Sequence, residues 1–228
     1  MEKTSPAKNF LGHRKRVREK FLISLGKELS DYELLEILLF AANSRFDTKP
    51  LAKKLIAKFG NISKVINADI DNLRELKLSE NAIVSLKVVV EVINRVLKKS
   101  AQSKNILDNW KAVLDYAYAT LRNLNHETFR VLFLDKKHQL IKDELVNSGE
   151  NDKIFISAKL IVKKALLLQA AAIILLHNHP SGDLRPSSAD IKTTDEIIAA
   201  LKNLGIKVFD HLIISDLAYF SFRENGLM

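Results

Sequence analysis

The sequence has 228 residues, 47% of them hydrophobic and 28% charged, with a formal net charge of +9, which is typical of a folded chain with one large domain or two smaller ones. It contains no cysteine, so disulfides are excluded and any bound metal must take nitrogen and oxygen ligands. No apolar run approaches the roughly 18 residues that span a membrane, and the charged N-terminus lacks an apolar signal core, so we expect a cytoplasmic protein without a membrane segment.

The positive charge is concentrated in the first half of the chain. Residues 1–104 contain 21 basic and 12 acidic residues, whereas residues 105–228 contain 15 of each. This asymmetry predicts two domains: a basic domain over 1–104 with an anionic partner, and a neutral domain over 105–228.

The N-terminal half has the periodicity of a small helical domain. Met1–Asn9 is expected to be a loose tail, after which a basic segment starting at Gly12 enters a helix. Apolar spacing, capping residues and glycine stops predict further helices over 31–42, 48–59, 63–66, 72–76 and 79–99. The polar stretch 100–105 is predicted to be the linker.

The C-terminal half mixes helical and extended patterns without strict alternation. It predicts helices over 108–124, 158–169 and 187–204, and strands over 131–134, 139–146, 170–176, 206–214 and 218–222. This order favours a mixed sheet with helices on its faces, so the fold class of the whole chain is predicted to be α+β.

A buried strand that ends in two histidines is the main functional signal. The apolar run Ala170–Leu176 is followed by His177, Asn178, His179 and Pro180, and side chains two residues apart in a strand share a face. Ser187 or Ser188 is a candidate N-cap of the next helix, and Asp190 lies in its first turn. Two imidazoles and one carboxylate suit a catalytic Zn²⁺, which takes three protein ligands and keeps a fourth position open for water. Asp183 is an alternative carboxylate, although a role in the turn is expected for it.

The motif resembles that of a known superfamily. His-x-His-Pro, six residues, Ser, two residues and Asp is similar to the zinc signature of the JAB/MPN metalloproteases, and HNHPSGD with PSSADI resembles the bacterial RadC proteins in particular. Similar segments occur along the chain, including GHRKR, DYELLEILLF, DHLII and YFSF. The resemblance implies a helix-hairpin-helix-like N-terminal domain, a JAB/MPN domain and one Zn²⁺ per chain. It also implies hydrolysis of a peptide or isopeptide bond in an unidentified protein or peptide.

The base that would deprotonate a zinc-bound water has two candidates in the strand 139–146. Asp143 and Glu144 point to opposite faces, and periodicity does not choose between them. The resemblance implies Glu144 as the general acid/base, while Ser187 could donate its hydroxyl to the developing oxyanion. His126, His138 and His211 have no ligand partner at useful spacing, and His211 is expected to be a hydrogen-bonded core residue.

Nucleic-acid binding is a second hypothesis. RadC relatives carry Gly-Ile-Gly in the hairpin turn, where this chain has Lys77-Leu78-Ser79, so close approach of backbone amides to a phosphate is disfavoured. Weak DNA binding through side-chain charge is therefore expected of residues 1–104, with the contacts made by Arg14, Lys15, Arg16 and Arg18. The alternatives to the hydrolase are a DNA-binding accessory protein with a structural or vestigial zinc domain, and a metal-dependent nuclease. The sequence leaves the oligomeric state open, a homodimer included.

Overall fold

The computed structural model describes residues 6–42, 47–102, 105–148, 156–216 and 218–228. The chain divides into two compact units, Met1–Val92 and Ile93–Met228. No helix in the described ranges is both long and apolar enough to cross a membrane.

The first unit is helical, as predicted. Its helices are α1 (Pro6–Ser24), α2 (Asp31–Ala42), α3 (Lys49–Phe59), α4 (Ile62–Asn67), α5 (Ile70–Glu75) and the start of α6 (Glu80–Gln102). Apolar residues of α2 to α5 and of the start of α6 meet in one core that includes Leu35, Leu39, Leu55, Leu73 and Leu86. The predicted loose tail is too long, because α1 already begins at Pro6; residues 1–5 lie outside the described residues.

The hairpin turn keeps a left-handed backbone without glycine. Lys77 lies between α5 and α6 with a φ of 60°, a conformation that glycine adopts at little cost and other residues rarely adopt. The missing glycine therefore does not abolish the turn. The turn also carries an ion pair, since Arg74 lies 3.0 Å from the carboxylate of Glu80.

Helix α6 is longer than predicted. It continues to Gln102, into the stretch 100–105 that was expected to be a linker, of which residues 103–104 lie outside the described ranges. The two compact units divide inside this helix, between Val92 and Ile93, and not at residue 104. Its last turns belong to the second unit, where Leu97 and Ala101 join the core.

The second unit contains the predicted mixed sheet. After a short 3-10 helix, Ile106–Asn109, its elements are α7 (Trp110–Leu121), β1 (Thr128–Leu134), β2 (Leu140–Ser148), α8 (Ala158–Leu167), β3 (Ala172–Asn178), α9 (Ser188–Lys202), β4 (Lys207–Ile214) and β5 (Tyr219–Ser221). Among the described residues the strand order is β2-β1-β3-β4-β5. Strands β3 and β4 are parallel, and the other neighbouring strands are antiparallel. Strand β1 begins three residues earlier than predicted, and β3 includes His177 and Asn178.

Both faces of the sheet are covered by helices. On one face, α7 packs Val113, Ala117 and Leu121 against alternate residues of β1, β3 and β4. On the other face, α8 and α9 pack against the intervening residues, among them Val131 and Leu175. This two-sided burial explains the continuous apolar run of β3, all seven residues of which are buried.

The sheet topology brings three chain segments together at one end of strands β1 and β3. Strands β1 and β3 are antiparallel, with Phe129 opposite His177, so the start of β1 lies beside the end of β3. The loop after β3 leads into α9, whose first turn returns to the same place. The candidate site lies at this meeting point.

Candidate metal centre

Four side chains converge where β3 ends. Ligand atoms of Glu127, His177, His179 and Asp190 all lie within 4.8 Å of one another. His177 is buried, and the other three residues are partly buried. The structure thus brings together the three ligands predicted from sequence, and it adds Glu127.

His177 is oriented by a chain of buried hydrogen bonds. Its Nδ1 lies 2.7 Å from Nε2 of His211, and Nδ1 of His211 lies 2.7 Å from Oγ1 of Thr194. The Thr194 hydroxyl donates to the carbonyl of Asp190 at 2.6 Å, so its oxygen is left to accept from His211. From these partners we infer that Nε2 of His211 accepts a hydrogen bond from the Nδ1–H of His177. The Nε2 of His177 is then unprotonated, and its lone pair faces the cluster.

His179 is oriented in the same sense by the backbone. Its Nδ1 lies 2.5 Å from the carbonyl oxygen of Asp183, which can only accept a hydrogen bond. Nε2 of His179 is therefore the atom that faces the cluster, 2.9 Å from Nε2 of His177. A hydrogen bond from Nε2 of His179 to the Asp190 carboxylate raises the pKa of the His179 imidazole, so the carboxylate favours a positive charge at this position.

Asp190 faces both histidines from the first turn of α9. Its two carboxylate oxygens lie 3.4 Å from Nε2 of His177 and 3.5 Å from Nε2 of His179. Burial opposes ionisation of Asp190, but the contacts of its carboxylate with the two imidazoles outweigh burial and hold its pKa well below the usual range. The carboxylate is thus ionised and ready to bind a cation.

Ser187 and Asp190 form a reciprocal cap at the start of α9. The Ser187 hydroxyl oxygen accepts from the Asp190 N–H at 3.1 Å, and the Asp190 carboxylate accepts from the Ser187 N–H at 2.7 Å. Of the two predicted N-cap candidates, Ser187 and Ser188, the structure has Ser187 at this position. The cap also fixes the carboxylate, because the Ser187 hydroxyl lies 2.7 Å from the same oxygen, Oδ2.

The donor set fits a metal ion. Two imidazole nitrogens that both face inward at 2.9 Å would repel one another as lone pairs, so a proton or a cation must lie between them. A carboxylate oxygen completes the set, and none of the ligands contains sulfur. Such nitrogen and oxygen donors are found at sites for zinc and other divalent transition metals.

Glu127 was missed at the sequence level. It lies immediately before β1, and the predicted strand began only at Val131, which placed Glu127 in an unassigned loop. The signal that could have identified it is the antiparallel pairing of β1 with β3, because Phe129 lies opposite His177 and the same register places Glu127 beside His179. That pairing is not visible in local periodicity.

Glu144, the residue implied as the base, lies elsewhere. It is on β2 opposite Val131, and its carboxylate lies 2.5 Å from Nζ of Lys164 on α8. The alternative, Asp143, is buried on the opposite face, where it pairs with Arg130 at 2.6 Å and accepts a hydrogen bond from Tyr116. Neither belongs to the cluster of ligand atoms among the described residues.

The remaining candidates have structural partners. The carboxylate of Asp183 pairs with Arg185 at 2.7 Å, which lowers the pKa of Asp183 to about 2, so only its backbone carbonyl serves the site. His126 and His138 are absent from the cluster within the described part of the chain. His211 is a hydrogen-bonded core histidine, as expected, and burial holds its pKa well below the ordinary value.

The family model and the similar proteins that match this chain agree with one another. Residues 107–227 match the family model described as a RadC-like JAB domain. A UPF0758 protein from Ruegeria pomeroyi is 40% identical over 217 residues, covering 95% of this chain and 97% of that protein. Another UPF0758 protein, from Rhodobacter capsulatus, is 41% identical over 213 residues, covering 93% of this chain and 100% of that protein.

Proposed function

The chain belongs to the RadC-like JAB domain family, and we propose that it is a zinc-dependent hydrolase that cleaves a peptide or isopeptide bond. The observation that carries this proposal is the convergence of two imidazole nitrogens and an ionised carboxylate, with Glu127 as an additional carboxylate beside them. The sequence lacks cysteine, which is compatible with the cytoplasmic location that we retain as part of the proposal.

In this proposal His177, His179 and Asp190 hold one zinc ion per chain. A bound zinc ion would polarise a carbonyl oxygen and lower the pKa of a water molecule toward about 7. Imidazole ligands favour zinc over magnesium and calcium, which prefer oxygen ligands.

We assign the general acid/base role to Glu127 and not to Glu144. The Glu127 carboxylate lies within 4.8 Å of the ligand atoms, where it can accept a proton from water and later deliver it to the leaving amine. The Glu144 carboxylate is already engaged with Lys164, and it lies on the second strand from β3. Ser187 remains the proposed oxyanion donor, since it is exposed and its hydroxyl lies beside the ligand Asp190. In this role the hydroxyl would turn from Asp190 Oδ2 to the oxyanion, because it carries one proton.

The test compares two isosteric variants of the full-length protein. Glu127→Gln and Glu144→Gln are loaded with Zn²⁺, and their zinc content and cleavage of a mixture of linear and isopeptide-linked peptides are measured by mass spectrometry. Both variants are expected to bind about one zinc per chain. Glu127→Gln should lose hydrolysis on the order of 100-fold or more, because amide nitrogen and oxygen keep the shape but cannot take the proton. Glu144→Gln should retain it.

Three results would contradict the proposal. A wild-type zinc content equal to that of a His177→Ala/His179→Ala variant would remove the metal site. Loss of hydrolysis in Glu144→Gln but not in Glu127→Gln would assign the role of general base to Glu144 on β2. Cleavage of DNA in a parallel incubation, with all peptides left intact, would favour the nuclease instead.

A nucleic-acid-binding role for the first unit is a second candidate function. Lys15, Arg16 and Arg18 are exposed on α1, and the hairpin turn at Lys77 retains its left-handed backbone. Arg14 does not belong to this basic surface, since it is only 5% exposed and its guanidinium lies over the ring of Phe40. A binding role is compatible with hydrolysis in the second unit.

A further inference from the structure

The residue between the two histidine ligands is buried and fully engaged. Asn178 is 2% exposed, and strand alternation turns its side chain away from the face shared by His177 and His179. Nothing in the proposed zinc chemistry uses this residue. Its amide is nevertheless hydrogen-bonded on both its oxygen and its nitrogen.

The Asn178 amide binds the backbone on both sides of Glu127. Its Oδ1 accepts from the N–H of Thr128 at 2.8 Å, a buried hydrogen bond. Its Nδ2 donates to the carbonyl of His126 at 3.0 Å and approaches the carbonyl of Leu124 at 3.5 Å. The residues immediately before and after Glu127 are thus both held by one side chain.

These bonds continue the sheet beyond its last backbone pair. The β1–β3 ladder ends at Phe129 and His177, so Thr128 has no pairing partner on β3. A side-chain amide carries one acceptor and two donors, like a displaced peptide group, and can replace the missing pair. Aspartate has the acceptor without the donor, and serine or threonine is too short to span the same two backbone groups.

We infer that Asn178 is a positioning residue that fixes Glu127 against the metal ligands, so that one His-Asn-His triplet supplies two ligands and the clamp for the neighbouring carboxylate. The inference rests on the proposed role of Glu127. It goes beyond that role because it makes the position of the base depend on a residue that touches neither metal nor substrate. It also predicts that the central residue of the triplet tolerates little substitution.

The test uses the full chain with Co²⁺ as a spectroscopic substitute for Zn²⁺. Variants Asn178→Asp, Glu127→Gln and the combination are compared with a control, Ser221→Ala. The control removes another buried hydrogen bond, from Ser221 to Asp210 at 2.6 Å, which does not involve the segment around Glu127. All retain the three ligands, so all should bind about one Co²⁺.

We expect the visible bands of Co²⁺ in Asn178→Asp to shift toward those of Glu127→Gln. The combination should match Glu127→Gln alone, because a misplaced carboxylate and an absent one are equivalent at the metal. Ser221→Ala should keep the wild-type bands. Independent, additive shifts of Asn178→Asp and Glu127→Gln, or unchanged bands in Asn178→Asp, would overturn the inference.

Amide exchange tests the clamp in the wild-type protein, even if Asn178→Asp fails to fold. Thr128 N–H should exchange as slowly as the ladder amide of Val131, and in a folded Asn178→Ala variant roughly ten-fold faster or more. Fast exchange of Thr128 in the wild type would overturn the clamp. Failure of the wild type to bind Co²⁺ would instead contradict the proposed function, and the exchange result would still decide the clamp.

Discussion

The position of the proton on the His177 ring is determined by Thr194, which lies two hydrogen bonds away. Thr194 donates to the Asp190 carbonyl and accepts from His211, and His211 in turn accepts from His177. Because burial keeps His211 neutral, this sequence of donors has only one consistent direction. The unprotonated Nε2 of His177 is its consequence, and metal binding requires that atom.

Removing the Thr194 hydroxyl should therefore weaken zinc binding. Thr194→Val keeps the shape of the side chain but frees the His211 ring to adopt the other tautomer. We expect the zinc dissociation constant, measured by competition with a chelator, to rise about 10- to 100-fold.

Thr120→Val is the matched control for that measurement. Thr120 also donates its hydroxyl to the carbonyl four residues earlier, Tyr116, at 2.8 Å, but it lies on α7, on the opposite face of the sheet. Zinc affinity should be unchanged in this variant. Equal losses in the two variants would mean that the threonine acts only through helix stability.

At the scale of the elements, the parts of the site that follow one another in the chain could be predicted from sequence. Strand β3, its two histidines and the capped start of α9 form one continuous segment, so local patterns were sufficient. Strand β1 was truncated because Arg130 interrupts its apolar pattern. Arg130 is accommodated by an ion pair with Asp143, a partner 13 residues away. Because the predicted β1 starts too late, Glu127 falls outside it. The contact between Glu127 and the end of β3 therefore could not be predicted.

The capping box of α9 links helix stability to the candidate metal site. Ser187→Ala should cost about 1 kcal/mol of unfolding free energy, the usual loss of a serine N-cap. It should also lower zinc affinity, because the Asp190 carboxylate loses a hydrogen bond from the hydroxyl. Urea unfolding and chelator competition measure the two effects separately.

Ser157→Ala provides the comparison for the cap. Ser157 is the N-cap of α8, where its hydroxyl accepts from the N–H of Leu160 at 3.4 Å. Its removal should lower stability to a similar or smaller extent and leave zinc affinity unchanged. A parallel fall in zinc affinity in this variant would show that Ser187 acts through general stability and not through Asp190.

At the scale of the whole molecule, the charge asymmetry depends on where the chain is divided. Residues 1–92 contain 17 basic and 12 acidic residues, and residues 93–228 contain 19 and 15, so the two compact units carry excesses of five and four. The asymmetry seen at residue 104 comes from the cations on and just beyond the last turns of α6, Arg95, Lys98, Lys99 and Lys104. A cut at residue 104 would also remove Leu97 and Ala101 from the second core, so the full chain is the proper subject for a binding test.

DNA binding by the full chain should depend on α1 more than on α6. Lys15→Ala/Arg16→Ala/Arg18→Ala removes three exposed cations and leaves the buried Arg14 in place. Arg95→Ala/Lys98→Ala/Lys99→Ala removes the same charge from α6. If α1 contacts phosphates, its variant should lose most of the affinity, and the slope of log K against log salt should become shallower by up to about 0.9 for each contact removed.

Fluorescence-anisotropy titrations of DNA with both variants, from low to physiological salt, show whether affinity depends on the position of the cations on α1 or only on the net charge of the protein. Equal losses in the two variants would indicate that only the total charge matters, because each loses three cations. A larger loss in the α6 variant would move the interface to that helix. A wild-type protein that fails to bind DNA at any of these salt concentrations would leave the exposed cations of α1 as a solvated surface and would remove the nucleic-acid role from the first unit.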